Sequence, residues 1–134
     1  MKIPIFKARN SFIISIVWGV VILLACTLPA NRVSKISLFG INYMDKVFHF
    51  LVYFIFSLII YFDLSKSGNA LRNKYFVFII IFLIPLVWGI IIELIQFYAL
   101  LNREGSIADI MANVSGIITG VLFILITEKY LMKK

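Results

Sequence analysis

Charge is scarce in this chain. Only 14% of its 134 residues are Asp, Glu, Lys or Arg, where a soluble domain carries about 25%. With a mean hydropathy of +1.06 and a hydrophobic fraction of 63%, that scarcity excludes an ordinary soluble globular domain. A single cysteine, Cys26, excludes an intramolecular disulfide framework and acts as a small hydrophobe in an apolar run. The single histidine, His49, with scattered carboxylates around it in the sequence, is a weak metal signal, so neither a metal nor another cofactor is expected. Low-complexity tracts, internal repeats, a second domain, a serine elbow, a cysteine dyad and a phosphatase motif are all absent.

What the chain does have is four long apolar windows, at about 11–28, 45–62, 75–101 and 107–126. A membrane-spanning helix needs roughly 20 apolar residues. The windows show no alternation of polar and apolar positions, which argues against barrel strands and leaves helices as the way to satisfy every backbone group in lipid. The expected fold is all-α: a polytopic membrane protein with one domain, residues 1–134, forming a four-helix transmembrane bundle. Pro85 and Gly89 lie inside the third window and predict a kink or local weakening just before Glu93.

Basic residues set an expected orientation. Lys2, Lys7, Arg9, Lys66, Arg72, Lys74, Lys129, Lys133 and Lys134 fall on one side of a four-span protein, and Arg32, Lys35, Lys46 and Arg103 on the other. The positive-inside rule then places both termini in the cytoplasm. The net charge of +7 reads as this topology signal plus attraction to anionic lipid, with no compact basic domain to bind nucleic acid. Leu23-Leu24-Ala25-Cys26 has the look of a lipoprotein cleavage site, but its second leucine is atypical there. A first membrane helix ending at Pro29 is the favoured reading.

Ionisable groups at membrane depth default to a functional hypothesis. Asp45, Lys46 and His49 open the second window, Glu93 and Gln96 lie in the outward half of the third, Arg103 follows it, and Asp109 and Asn113 open the fourth. The topology collects all eight near the outer leaflet. Spacings of four (Asp45/His49, Asp109/Asn113) and three (Glu93/Gln96) put each pair on one helical face, with Asp45 as the expected partner of His49. Structural roles compete with a site. Ser106-Ile-Ala-Asp109 fits a capping box and Asn42-Tyr-Met-Asp45 resembles one, so each aspartate has a helix-capping alternative. Glu93, flanked by Ile91, Ile92, Leu94 and Ile95, has none. In the fourth window Asp109, Asn113, Gly116 and Gly120 make one stripe, and its small-xxx-small end permits close helix approach.

Asp45-Lys46-Val-Phe-His49-Phe50-Leu-Val-Tyr53, Glu93-Leu-Ile-Gln96, Arg103 and Asp109-Ile-Met-Ala112-Asn113-Val-Ser-Gly116-Ile-Ile-Thr-Gly120 together resemble the signature of the VanZ-like membrane proteins, from about residue 27 to 122. The chain departs from that pattern between Gln96 and Arg103, where an expected proline is missing. The resemblance implies a bacterial inner-membrane protein whose ligand-binding positions are Asp45, Lys46, His49, Tyr53, Glu93, Gln96, Arg103, Asp109 and Asn113. The family is named for low-level resistance to the lipid-bearing glycopeptide teicoplanin. The implied function is an outward-facing pocket that engages a lipid or lipid-linked cell-wall headgroup and alters susceptibility to such antibiotics. Two alternatives stand beside it: a membrane enzyme using His49, Glu93 and Asp109 as acid-base groups on a lipid-linked substrate, and a transporter or scaffold, which with four helices would have to form a homo-oligomer.

Overall fold

A computed structural model describes residues 12–27, 44–66, 73–99 and 106–131 of the protein. They form four helices, α1 (Ile13–Thr27), α2 (Met44–Lys66), α3 (Lys74–Ala99) and α4 (Ile107–Leu131), with no strand among the described residues. At about 1.5 Å per residue, α2, α3 and α4 extend roughly 35–39 Å, enough to cross a hydrocarbon core of about 30 Å. All three also have the hydropathy to do so, and the chain is a membrane protein. The first window behaves differently. Its helix has 15 residues, a length of about 22 Å, which is short of a full span, and Ser11 and Leu28 lie outside the described residues.

Hydrogen bonds between helices fix an up-down-up-down arrangement. Ser15 meets Asp63, so α1 and α2 run antiparallel; Gly19 meets Trp88 and Cys26 meets Gln96, so α1 and α3 run parallel. His49 meets Asn113 and Tyr61 meets Glu128, so α2 and α4 also run parallel. The N-termini of α2 and α4 and the C-termini of α1 and α3 therefore share one end of the bundle. The opposite end collects Ser15, Asp63, Lys74 and Glu128.

Helix α2 is central and touches each of the other three, whereas α1 and α4 do not meet. Its closest partner is α4, and the glycine stripe is the reason. A Cβ at Gly116 would run into the backbone carbonyl of Phe50, and one at Gly120 would lie 2.8 Å from Ser57 Cβ. Without a hydrophobic driving force between helices in lipid, this backbone proximity is what association uses. Val52, Tyr53, Phe56, Ile60 and Leu64 form the buried spine of α2 against Ile22, Ile81, Ile92, Ile117 and Ile124. Outward positions such as Ile16, Leu51, Val87 and Leu122 remain apolar and exposed, as a lipid-facing surface requires.

Two helices outrun their expected ends. α2 continues past 62 to Lys66 because Asp63, which reads as a terminating charge, is satisfied inside the bundle: its Oδ2 accepts from Ser15 N at 2.9 Å and Ser15 Oγ at 2.7 Å. α4 continues past 126 to Leu131, with Glu128 bound by the Tyr61 hydroxyl at 2.7 Å and Lys74 Nζ at 3.5 Å. Helix α3 begins after Asn73, whose Oδ1 accepts from Phe76 N at 3.3 Å as an N-cap, and continues on both sides of the buried Pro85.

Candidate functional site

The polar residues near the N-termini of α2 and α4 converge. His49 and Glu93 are buried and Asp109 is half-buried, and one ring nitrogen of His49 and one carboxylate oxygen from each acid all lie within 4.8 Å of one another. The three donors come from three helices. Convergence of imidazole and two carboxylates is suited to proton transfer or to holding a divalent cation.

Glu93 has a structural task as well. Ser106 is the N-cap of α4, its hydroxyl accepting from Ala108 N at 3.2 Å. In a capping box the acid three residues on, here Asp109, would reach back to the Ser106 backbone N–H. Instead that N–H donates to Glu93 Oε2 at 3.1 Å. The box is thus closed from another helix, and the carboxylate of Asp109 is turned toward the cluster, with Oδ1 at 3.5 Å from Lys46 Nζ. Asp109 Oδ1 is buried and accepts no hydrogen bond among the described residues.

His49 is held by a different residue from the one its spacing suggested. Nδ1 lies 3.0 Å from Asn113 Oδ1 on α4. Asp45, one turn before it, is exposed and pairs with its neighbour Lys46 at 3.0 Å. The expected Asp45–His49 pairing is therefore replaced by a contact across the α2–α4 interface, because close packing at Gly116 brings Asn113 to the imidazole. An amide oxygen at Nδ1 calls for a proton on that nitrogen, so in the neutral imidazole the lone pair is on Nε2.

Tyr53, the last residue of the first motif, is fully buried one turn deeper on α2. Its hydroxyl and the Asn113 amide nitrogen both lie 3.2 Å from where a Cβ of Gly89 would stand, and Gly89 is one turn before Glu93 on α3. The missing side chain at Gly89 thus opens the floor of the cluster to these two polar groups. The Tyr53 hydroxyl has no hydrogen-bond partner among the described residues.

Of the residues singled out in the sequence, His49, Glu93, Asp109, Asn113, Lys46 and Tyr53 are brought together. Asp45 stays at the rim. Gln96 is buried but serves α1: its Nε2 donates to the Cys26 carbonyl at 2.8 Å, satisfying one of the last backbone acceptors of that helix. Arg103 and Asn42 lie outside the described residues. The buried Asp63 and the half-buried Glu128, polar anchors at the far end, are not among the residues the sequence singles out. Asp63 stands next to a basic loop, and that position masked a carboxylate embedded in Ile60-Tyr-Phe-Asp63-Leu64.

The fold and site together define a small helical membrane protein with a polar cluster buried at one end of its bundle. Comparison with family models, with curated proteins and with solved structures finds no match to the chain.

Proposed function

We propose that this is a VanZ-like protein of the bacterial inner membrane, with both termini in the cytoplasm and the His49–Glu93–Asp109 end facing outward. In this reading the cluster engages the anionic headgroup of a lipid or lipid-linked cell-wall precursor and thereby changes susceptibility to lipoglycopeptide antibiotics. The observation that carries the reading is a buried polar cluster at the end where two helices, α2 and α4, both present their N-termini, with Lys46 beside it. Helix N-termini and an ammonium favour phosphate oxygens. The described basic residues support the orientation: Lys66, Lys74 and Lys129 lie at the opposite end, and Lys46 alone at this one.

The test is a mass spectrum of lipid extracted from the purified protein. An anionic or polyprenyl phosphate lipid enriched over the bulk membrane, and lost in Lys46→Met, is the expected result; retention of bulk lipid only overturns it. The proximity of His49 to two carboxylates favours one second reading, acid-base catalysis on such a lipid. A chemically altered lipid accumulating with wild type, and not with His49→Gln, distinguishes it.

A further inference from the structure

We propose that His49, Glu93 and Asp109 form a divalent-cation site. The donors converge to within 4.8 Å from three different helices. Metal–ligand bonds of about 2.0–2.2 Å require donors roughly 3–3.5 Å apart, so small rotamer adjustments close the set. One imidazole and two carboxylates, with no thiolate, suit a divalent transition ion such as Zn2+ or Mn2+ rather than Cu+, and the imidazole disfavours Mg2+ and Ca2+, which prefer all-oxygen shells.

Three independent features fit an ion there. Asn113 takes the Nδ1 side of the ring, the outer-shell bond that metal-ligating histidines make to orient Nε2. The Tyr53 hydroxyl, wholly buried and without a hydrogen-bond partner among the described residues, lies, like the Asn113 amide nitrogen, 3.2 Å from where a Cβ of Gly89 would stand, one turn before Glu93 on α3, and an ion-bound water there would satisfy it. Lys46 stands at 3.5 Å from Asp109 and at 3.0 Å from Asp45. Its ammonium supplies positive charge in place of an ion and can yield to one, since Asp45 keeps it paired.

The ion also resolves a difficulty in headgroup binding. Two carboxylates repel a phosphate, whereas a cation held between them attracts it and offers an open coordination position. The ion site itself does not rest on the headgroup reading.

The experiment uses the full chain without a tag, purified in detergent, stripped with chelator and titrated with Mn2+ alone, with Zn2+ as competitor. Electron paramagnetic resonance should show one Mn2+ bound per chain, displaced by Zn2+, with nitrogen hyperfine coupling from one imidazole. His49 is the only histidine in the sequence, so that coupling identifies the ligand without any variant. Folded His49→Gln should lose the coupling, and both it and Asp109→Asn should bind roughly tenfold more weakly or worse. Tyr53→Phe should weaken binding several-fold with the coupling intact, and Glu128→Gln should leave it unchanged. Lys46→Met should tighten Mn2+ binding by removing the competing ammonium while weakening phospholipid retention. A loss of lipid retention with tight Mn2+ binding would thus separate the two readings. Absence of stoichiometric Mn2+ or Zn2+ on the folded wild type, or Mn2+ bound without nitrogen coupling, overturns the site.

Discussion

The two ends of this bundle use the same residue types and bond them to opposite effect. At one end Asp63 receives both the backbone N–H and the hydroxyl of Ser15, and Glu128 receives Tyr61 and Lys74. Among the described residues no buried side-chain oxygen there lacks a hydrogen bond. At the other end the Tyr53 hydroxyl is buried without one, and Asp109 Oδ1, also buried, has an ion pair with Lys46 at 3.5 Å in place of a hydrogen bond. A satisfied polar network holds a fold together; a partly satisfied one carries a desolvation penalty that a bound partner relieves.

That contrast depends on α2 and α4 holding both ends in register, so the largest effect is expected between them. Gly116→Ala places a methyl against the Phe50 carbonyl and should destabilise the bundle by about 3 kcal/mol, the upper part of the usual overpacking range. Equilibrium unfolding in mixed micelles measures it, and a wild-type transition would show that the α2–α4 contact is not what sets the register. Asp63→Ala comes next. It strands the Ser15 N–H and hydroxyl and should lose about 2–3 kcal/mol, as for hydrogen bonds to a charged group, while the folded fraction keeps the proposed lipid and ion binding.

Glu93→Gln should do the reverse. The amide oxygen can still accept from Ser106 N–H, so stability should change by less than about 1 kcal/mol, yet the proposed lipoglycopeptide phenotype and the proposed Mn2+ binding should both fall. A Glu93→Gln chain that unfolds, beside an Asp63→Ala chain that is stable but inactive, would invert the comparison outright. Ser106→Ala removes only the cap, costs about 1 kcal/mol, and should leave the phenotype in place.

The finest discrimination comes from two tyrosines on one helix. Tyr61→Phe deletes a hydroxyl that donates to Glu128 and should cost about 1–2 kcal/mol; Tyr53→Phe deletes one with no described acceptor and should be neutral or slightly stabilising in metal-free protein. Equal losses from the two would mean that the cluster end is as fully bonded as the other.

Much of the architecture was legible because lipid imposes a one-dimensional rule. Helices α2, α3 and α4 follow from unbroken apolar length, and polar residues inside such runs have to face protein, which alone marks His49, Glu93 and Asn113 as interior. Partner choice was not legible. Spacing of four offered Asp45 to His49, and a capping box offered Asp109 to Ser106; in the structure Asn113, 64 residues away, takes the first place and Glu93, on a different helix, takes the second. Asp63 is not legible in this way, because a carboxylate beside a basic loop looks like the end of a helix and only the arrival of Ser15 from α1 makes it an interior anchor.

The sequence by itself determined that this chain is helical, that it is embedded in a membrane, and which few polar side chains are drawn to the bundle interior, since each of these follows from transfer free energies that every residue carries independently of its neighbours in space. The tertiary structure decided which of those side chains meet. The close approach of α2 and α4 at Gly116 and Gly120, and the open floor at Gly89, bring an imidazole, two carboxylates, an amide and a phenol from three helices together. Such convergence depends on helix separation and rotation to within an ångström or so, quantities that no local pattern of residues encodes.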